Sequence, residues 1–221
     1  MTDTLDALYP AHLAVLQQRM DRALAACGFE AVVLHAGAPI VQFLDDQDYP
    51  FKPNPHFKAW VPLTQHPHCA LIHRPGARPV LLFHRPDDYW HKPPALPTQA
   101  WASELELFAI ATPADATAHW KGLERVALIG PPAVFAGADP SSVNPSQLLT
   151  RLNYDRAVKT PYELECMRRA SELGALGHRA ALTAFQAGAS EYEAHMRYLQ
   201  ACGQREEEMP YNNIVAYNEN G

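Results

Sequence analysis

Lys159-Thr160-Pro161-Tyr162-Glu163-Leu164-Glu165-Cys166-Met167-Arg168 divides this chain into two parts of different character. Threonine, then proline, then glutamate three residues after the threonine is a capping box with proline at the first helical position. Hydroxyl and carboxylate can satisfy the orphan N–H groups of a helix start reciprocally. A long helix is expected to follow, with Leu164, Met167, Leu173, Leu176 and Phe185 on one apolar stripe up to Gly188. Ala170, Gly174, Gly177 and Ala181 run beside the stripe and would let another element approach closely. A second box, Ser190-Glu191-Tyr192-Glu193, opens a helix to about Cys202. Gln204 to Glu208 reads as a solvated turn. Met209 to Gly221 reads as a strand entering a sheet, because Ile214, Val215 and Tyr217 are strand formers. Two helices and one strand bury their apolar faces poorly, so this part reads as the opening of a larger domain.

Ahead of the join, strands and helices alternate. A helix is expected from Pro10, with Leu13, Leu16, Met20 and Leu24 at helical spacing and Gly28 as its stop. Ala31 to His35 is a buried-type strand, and Ile40 to Leu44 suggests one helical turn. Asp45 to Pro67 is rich in proline and aromatics without a sustained period, as in a long functional loop. Cys69 to His73 and Val80 to Phe83 form a strand–turn–strand pair around Arg74-Pro75-Gly76-Ala77-Arg78. Leu105 to Ala109 and Arg125 to Ile129 are further strands, and Pro113 to Trp120 is a short helix. Asn144-Pro145 is an N-cap with proline at the first position, opening a helix to about Tyr154. Residues 1–157 therefore read as one α/β domain and 158–221 as the start of a second.

Composition narrows the function. With 48% hydrophobic and 19% charged residues, the 221-residue chain is ordinary for a soluble globular protein. A formal net charge of −6 argues against nucleic acid or an anionic membrane as partner. Cys27, Cys69, Cys166 and Cys202 are far apart and form no CxxC pair, which fits a reducing cytoplasm better than a disulfide framework or structural zinc. No run approaches the ~18 apolar residues of a membrane span.

Residue chemistry alone assembles no active site. GxSxG, Walker, GxGxxG and HExxH patterns are all absent. His66-Pro67-His68 could place two imidazoles on one strand face, but without a third ligand nearby a structural pair is the better reading. Asp45-Asp46 reads first as two solvated loop acids. Asp87-Asp88-Tyr89-Trp90-His91-Lys92 crowds aromatic and ionisable groups into one loop, either a surface aromatic or a lip aimed at a pocket or partner.

Several blocks together resemble a known family. Phe43-Leu44-Asp45-Asp46, Tyr49-Pro50-Phe51-Lys52, Asn54 to Pro62, Asp88-Tyr89-Trp90-His91, the helix opening at Lys159 and Pro210-Tyr211-Asn212-Asn213-Ile214-Val215-Ala216 are similar to bacterial Xaa-Pro dipeptidases (prolidases) and the related organophosphorus acid anhydrolases. The resemblance implies a creatinase-like mixed-sheet α/β domain followed by the first helices and strand of a pita-bread metallopeptidase domain. It also implies a cytoplasmic homodimer that splits dipeptides with C-terminal proline. Two divalent metals, usually manganese, would be held by two Asp, one His and two Glu that lie beyond the position matching Gly221. This chain would then bind no metal and be inactive alone. By the same resemblance Tyr211 lines the substrate pocket, while Asp46 and Trp90 reach from one subunit into the active site of its partner. The competing reading is a non-catalytic creatinase-like module for dimerisation or regulation. A metal-binding protein centred on His66 and His68 is a weaker third.

Overall fold

The computed structural model describes residues 3–89 and 92–220. They form two compact units, Met1–Thr160 and Pro161–Gly221.

The first unit is built on a five-stranded mixed sheet of β1 (Ala31–His35), β2 (Ala70–His73), β3 (Val80–His84), β4 (Glu106–Ile110) and β5 (Val126–Ile129), in the order β4-β3-β2-β1-β5. β1 runs antiparallel to β2 and parallel to β5, and β3 runs antiparallel to β2 and parallel to β4. β1 is buried along its whole length, which explains its continuous apolar run. Register puts Val33, Ala70, Ile72 and Leu82 on one face, where they join Ala116, Trp120 and Phe135 in a core cluster. The opposite face carries Val32, Leu34, Leu71, Leu81 and His73. There α1 (Thr4–Cys27) sends Asp21 to His73 Nε2 at 2.6 Å, and Trp60 lies tilted against the imidazole with ring centres 5.1 Å apart.

Three expectations are corrected here. The first helix starts at Thr4, not Pro10, because the Asp3 carboxylate caps it by accepting the Leu5 N–H; Pro10 falls inside the helix. The aromatic-rich stretch holds a short helix, α2 (Pro55–Trp60), which Asn54 caps by accepting the His56 N–H at 3.0 Å. Asn144, expected to cap a helix in the same way, sits at φ 50° with its amide spent on Gly130: Oδ1 accepts the Gly130 N–H and Nδ2 donates to the Gly130 carbonyl. α4 (Ser146–Asp155) therefore begins without a side-chain cap. The remaining helix of this unit, α3 (Pro113–Ala118), opens with a complete Thr112/Asp115 capping box.

His12, fully buried on α1, ties three segments together. Its Nε2 lies 2.9 Å from the Ala59 carbonyl and its Nδ1 lies 2.8 Å from the Thr160 hydroxyl. A carbonyl only accepts, so the ring presents an N–H at Nε2 to Ala59.

The second unit is a pair of helices, α5 (Pro161–Gln186) and α6 (Glu191–Cys202), the latter opened by the expected Ser190/Glu193 box and closed by Gly203 at φ 63°. Gly177 is buried at their crossing, where a Cβ would stand 2.6 Å from Cys202 Sγ. The final strand is not formed. Residues 206–208 and 218–220 make single 3₁₀ turns, and the stretch between them is irregular. Among the described residues no ladder partner lies beside it, and strand propensity without a partner leaves backbone groups to find other acceptors. The Tyr217 N–H does so, donating to Glu191 Oε1 at 2.7 Å.

Candidate functional site

In the first unit one segment projects from the C-terminal end of β1. Residues 40–49 fold back on themselves: the Gln42 N–H donates to Gln47, the Tyr49 N–H donates to Ile40, and Val41 bridges Asp48. The helical turn expected at Ile40 to Leu44 is thus a hairpin-like lip. Asp45 Oδ1 accepts the Gln47 N–H at 3.0 Å and Leu44 takes a positive φ of 59°, a turn geometry that competes with helix. The tip is unusually apolar for a free surface, with Phe43 89% and Leu44 91% exposed. Asp46 stands beside them, also exposed. Trp90, the other residue expected to reach a partner, lies outside the described residues.

The lip is rooted by backbone anchors. Gly37, at φ 116°, donates its N–H to His35 Nδ1 at 3.0 Å, and its carbonyl accepts the His68 N–H at 2.8 Å. A side chain there would be strained, and its Cβ would meet the Phe51 ring at 3.4 Å. Asn54 fixes the other root. Its N–H donates to the Ala36 carbonyl, and its amide reaches the last carbonyls of β1 and β5, those of His35 and Ile129, at 3.2 Å each.

Beneath the lip three imidazoles gather that lie far apart in sequence: His35, His68 and His84. His68 faces His84 edge-on at 5.0 Å between ring centres, and His35 lies 6.4 Å from His68 and 5.8 Å from Phe135. Burial first, then the neighbouring His68 and His84, pushes His35 down to about 4. Burial and His84 lower His68, and burial lowers His84 against the pull of the Ala111 and Pro67 carbonyls. His66 does not join them; it packs on Phe83 at 5.2 Å with Nδ1 buried and unpartnered. The two imidazoles do not share a strand face, because His68 is left-handed at φ 62° and precedes the strand, so i, i+2 alternation does not apply. Among the described residues no group of three or more His, Cys, Asp or Glu could hold a metal ion.

In the second unit Tyr211 is 73% exposed, close enough to Tyr198 to help raise its phenol, an effect led by burial and shared by Cys202. Two residues further on begins a groove of about 350 Å³ between His178, Leu182 and Phe185 of α5, Tyr198 of α6 and residues 213–217. Phe185 packs on Tyr217 at 4.7 Å, and Asn213 Nδ2 lies 3.3 Å from His195 Nδ1.

The mixed sheet and its helices define a creatinase-like α/β domain. The same fold occurs in zinc-substituted aminopeptidase P of Escherichia coli solved with product, at a TM-score of 0.50 and 17% identity over 85% of this chain and 49% of that one. Residues 7–154 match the family described as "Xaa-Pro dipeptidase, N-terminal domain", and the chain belongs to that family. It is 46% identical to the Xaa-Pro dipeptidase of Xanthomonas campestris over 219 residues, covering 99% of this chain and 49% of the relative. The Xaa-Pro dipeptidase of Shewanella loihica is likewise 46% identical over 221 residues, half of its length. The chain therefore spans about half the length of the curated relatives it matches. No helix of the described residues is long and apolar enough to cross a membrane.

Proposed function

We propose that this chain is the N-terminal half of a cytoplasmic Xaa-Pro dipeptidase that cleaves dipeptides ending in proline. The 46% identity sustained over 99% of the chain carries the reading, because it continues through the second unit as well as the first. In this reading residues 1–157 are the creatinase-like domain and 158–221 open the pita-bread catalytic domain. Two divalent ions, manganese in the first instance, would polarise the scissile carbonyl and lower the pKa of the attacking water. The described residues offer no ligand set for them. The ions would be held by the half of the relatives' length that this chain does not span, and the chain alone would not turn over substrate.

The same reading assigns roles to individual residues of this chain, and the exposed lip supports it. The lip carries Asp46 and two exposed apolar side chains, Phe43 and Leu44, away from the domain body. That shape suits insertion into the pocket of a second subunit, where Asp46 would receive a cationic group and Trp90 would narrow the pocket to dipeptide length. Tyr211 would line the pocket in its own subunit.

The test is a chimera in which residues 1–221 precede the second half of the Xanthomonas campestris enzyme. It should hydrolyse Leu-Pro with manganese, while the 221-residue chain alone should not. A chimera that is folded by circular dichroism, binds manganese and stays inert would overturn the reading. Asp46→Ala in the active chimera should raise KM at least tenfold, about 1.4 kcal/mol of binding, with folding unchanged. An unaltered KM would remove the lip from the site.

A further inference from the structure

We propose that His35, His68 and His84 form an acid-released latch that holds the root of the lip closed when all three imidazoles are neutral. Both backbone polar groups of Gly37 end on this cluster. Its N–H donates to the ring of His35, and its carbonyl accepts from the backbone of His68. The His35 bond sets a condition on protonation. Nδ1 must be an unprotonated acceptor, so the ring's single proton sits on Nε2. A doubly protonated ring has no acceptor left and would turn an N–H toward the Gly37 N–H. The bond at the hinge of the lip is then lost.

The neighbours make release cooperative. His84 faces the cluster from β3 and His68 from the segment ahead of β2, and both would repel a charged His35. From residues 132–135 the uncharged Phe135 ring faces His35 at 5.8 Å. Cys69 accepts the His84 N–H at 3.4 Å, and burial pushes its thiol up to about 11, so it supplies no compensating charge in the acid range. Asp45, Asp46 and Asp48 stand exposed on the lip.

The sign follows from linkage. His35 is held near 4 when the lip is closed, and would titrate near the ordinary histidine value of about 6.5 once the lip lifts and water reaches the ring. The closed state is favoured in full above about pH 6.5 and loses favour as pH falls toward 4. Between about pH 7.5 and pH 5 the open population should rise ~30-fold from His35 alone. In the assembled enzyme this would withdraw Asp46 from the neighbouring pocket in acid. That consequence rests on the reading given under Proposed function; the latch itself does not.

Hydrogen exchange read by mass spectrometry on the full 221-residue chain tests it, at about pH 7.5 and pH 5 with times scaled for the intrinsic chemical rate. Amides of residues 37–53 should deprotect ~30-fold faster at the lower pH, while those of β1 to β3 stay protected over the same times. His35→Gln, whose amide oxygen can still accept the Gly37 N–H, should flatten the response to less than about threefold. Should His35→Gln fail to fold, His84→Gln decides: it keeps the latch bond, removes one repelling charge and should make the rise in lip exchange between about pH 7.5 and pH 5 smaller than in the parent chain. Lip exchange that ignores pH, an equal response in these variants, or simultaneous deprotection of the strands would overturn the latch. A confirmed pH response beside an active chimera indifferent to Asp46→Ala would keep the latch and discard the lip's role in the pocket.

Discussion

Replacing Gly177 by alanine sets two effects of known size against each other. Alanine is the better helix former in the middle of α5 by about 1 kcal/mol. The structure opposes that gain. The new Cβ would lie 2.6 Å from Cys202 Sγ and 2.7 and 2.8 Å from ring carbons of Tyr198. Optimal separations between such atoms are about 3.5–4.0 Å, so each contact is too short by roughly an ångström. Neither neighbour can retreat freely. The thiol is buried and directed at the Leu173 carbonyl at 3.4 Å, and Tyr198 stands edge-on to His178 at 5.2 Å. Overpacking of this kind costs about 1–3 kcal/mol, so against the helix gain of about 1 kcal/mol the net expectation is a loss of up to about 2 kcal/mol at the α5–α6 crossing. Gly174, one turn earlier, is the internal control: its nearest neighbour is the Tyr198 hydroxyl at 3.8 Å, ordinary contact, so Gly174→Ala should keep most of the helix gain. Because the chain folds as two units, one global unfolding energy is poorly defined. Native-state hydrogen exchange of α5 and α6 amides is the proper measure. Gly177→Ala should speed their slowest exchange about tenfold, and Gly174→Ala should slow it. Equal protection in both variants would mean that the helices do not cross as closely as Gly177 requires.

Three further outcomes follow from the first unit. His12→Ala should cost about 2–4 kcal/mol, because it opens a cavity and leaves the Ala59 carbonyl unpaired; tryptophan fluorescence in urea reads the loss through Trp60. Acid should weaken this unit for a stated reason. His35 and His56 are each held down at about 4, mainly by burial, and the unfolded chain takes up protons from about 6.5 downward. Their stabilisation is therefore complete above pH 6.5 and drains away toward pH 4, at up to about 1.4 kcal/mol per pH unit for the buried His35 and less for the more solvated His56. Urea midpoints that do not fall between about pH 7 and pH 5 would contradict this. Asp21→Ala should lower His73 further, since the carboxylate at 2.6 Å is what opposes the burial of that ring; a rise of its NMR titration midpoint would show that Asp21 does not face it as described.

The legible parts of the fold are those fixed by local patterns. All five strands appear where short apolar runs stand between turn residues, and β1 reads as a single buried run because both faces of its sheet are covered. The Ser190/Glu193 box opens α6 as expected of short-range hydrogen bonding, and the helix ends at Cys202. The dipeptide Asn-Pro marks the limit. At Asn54 the amide caps α2, and at Asn144 the same amide closes on Gly130. Nothing within a few residues distinguishes the two. The choice follows from which strand end lies within reach, and that is a property of the sheet.

The same limit explains why the histidine cluster was invisible while its members were in plain sight. His35 and His84 each end a strand, and a residue at a strand end faces a neighbour chosen by register alone. Here Val33 pairs with Ile72, and Ala70 pairs with both His35 and Leu82. Those pairings place His35 and Leu82 on one face, and alternation puts His84 on that face too, opposite position 68. A one-residue slip in either pairing would send one imidazole to the α1 face and disperse the cluster. The signal that could have found it is therefore a polar, titratable residue closing an otherwise apolar strand, twice over, at the edge from which a long loop departs. Such residues are costly to bury. Two of them meeting at the root of the lip, with both polar groups of Gly37 tied to the same cluster, make this edge the part of the domain whose state depends on protonation.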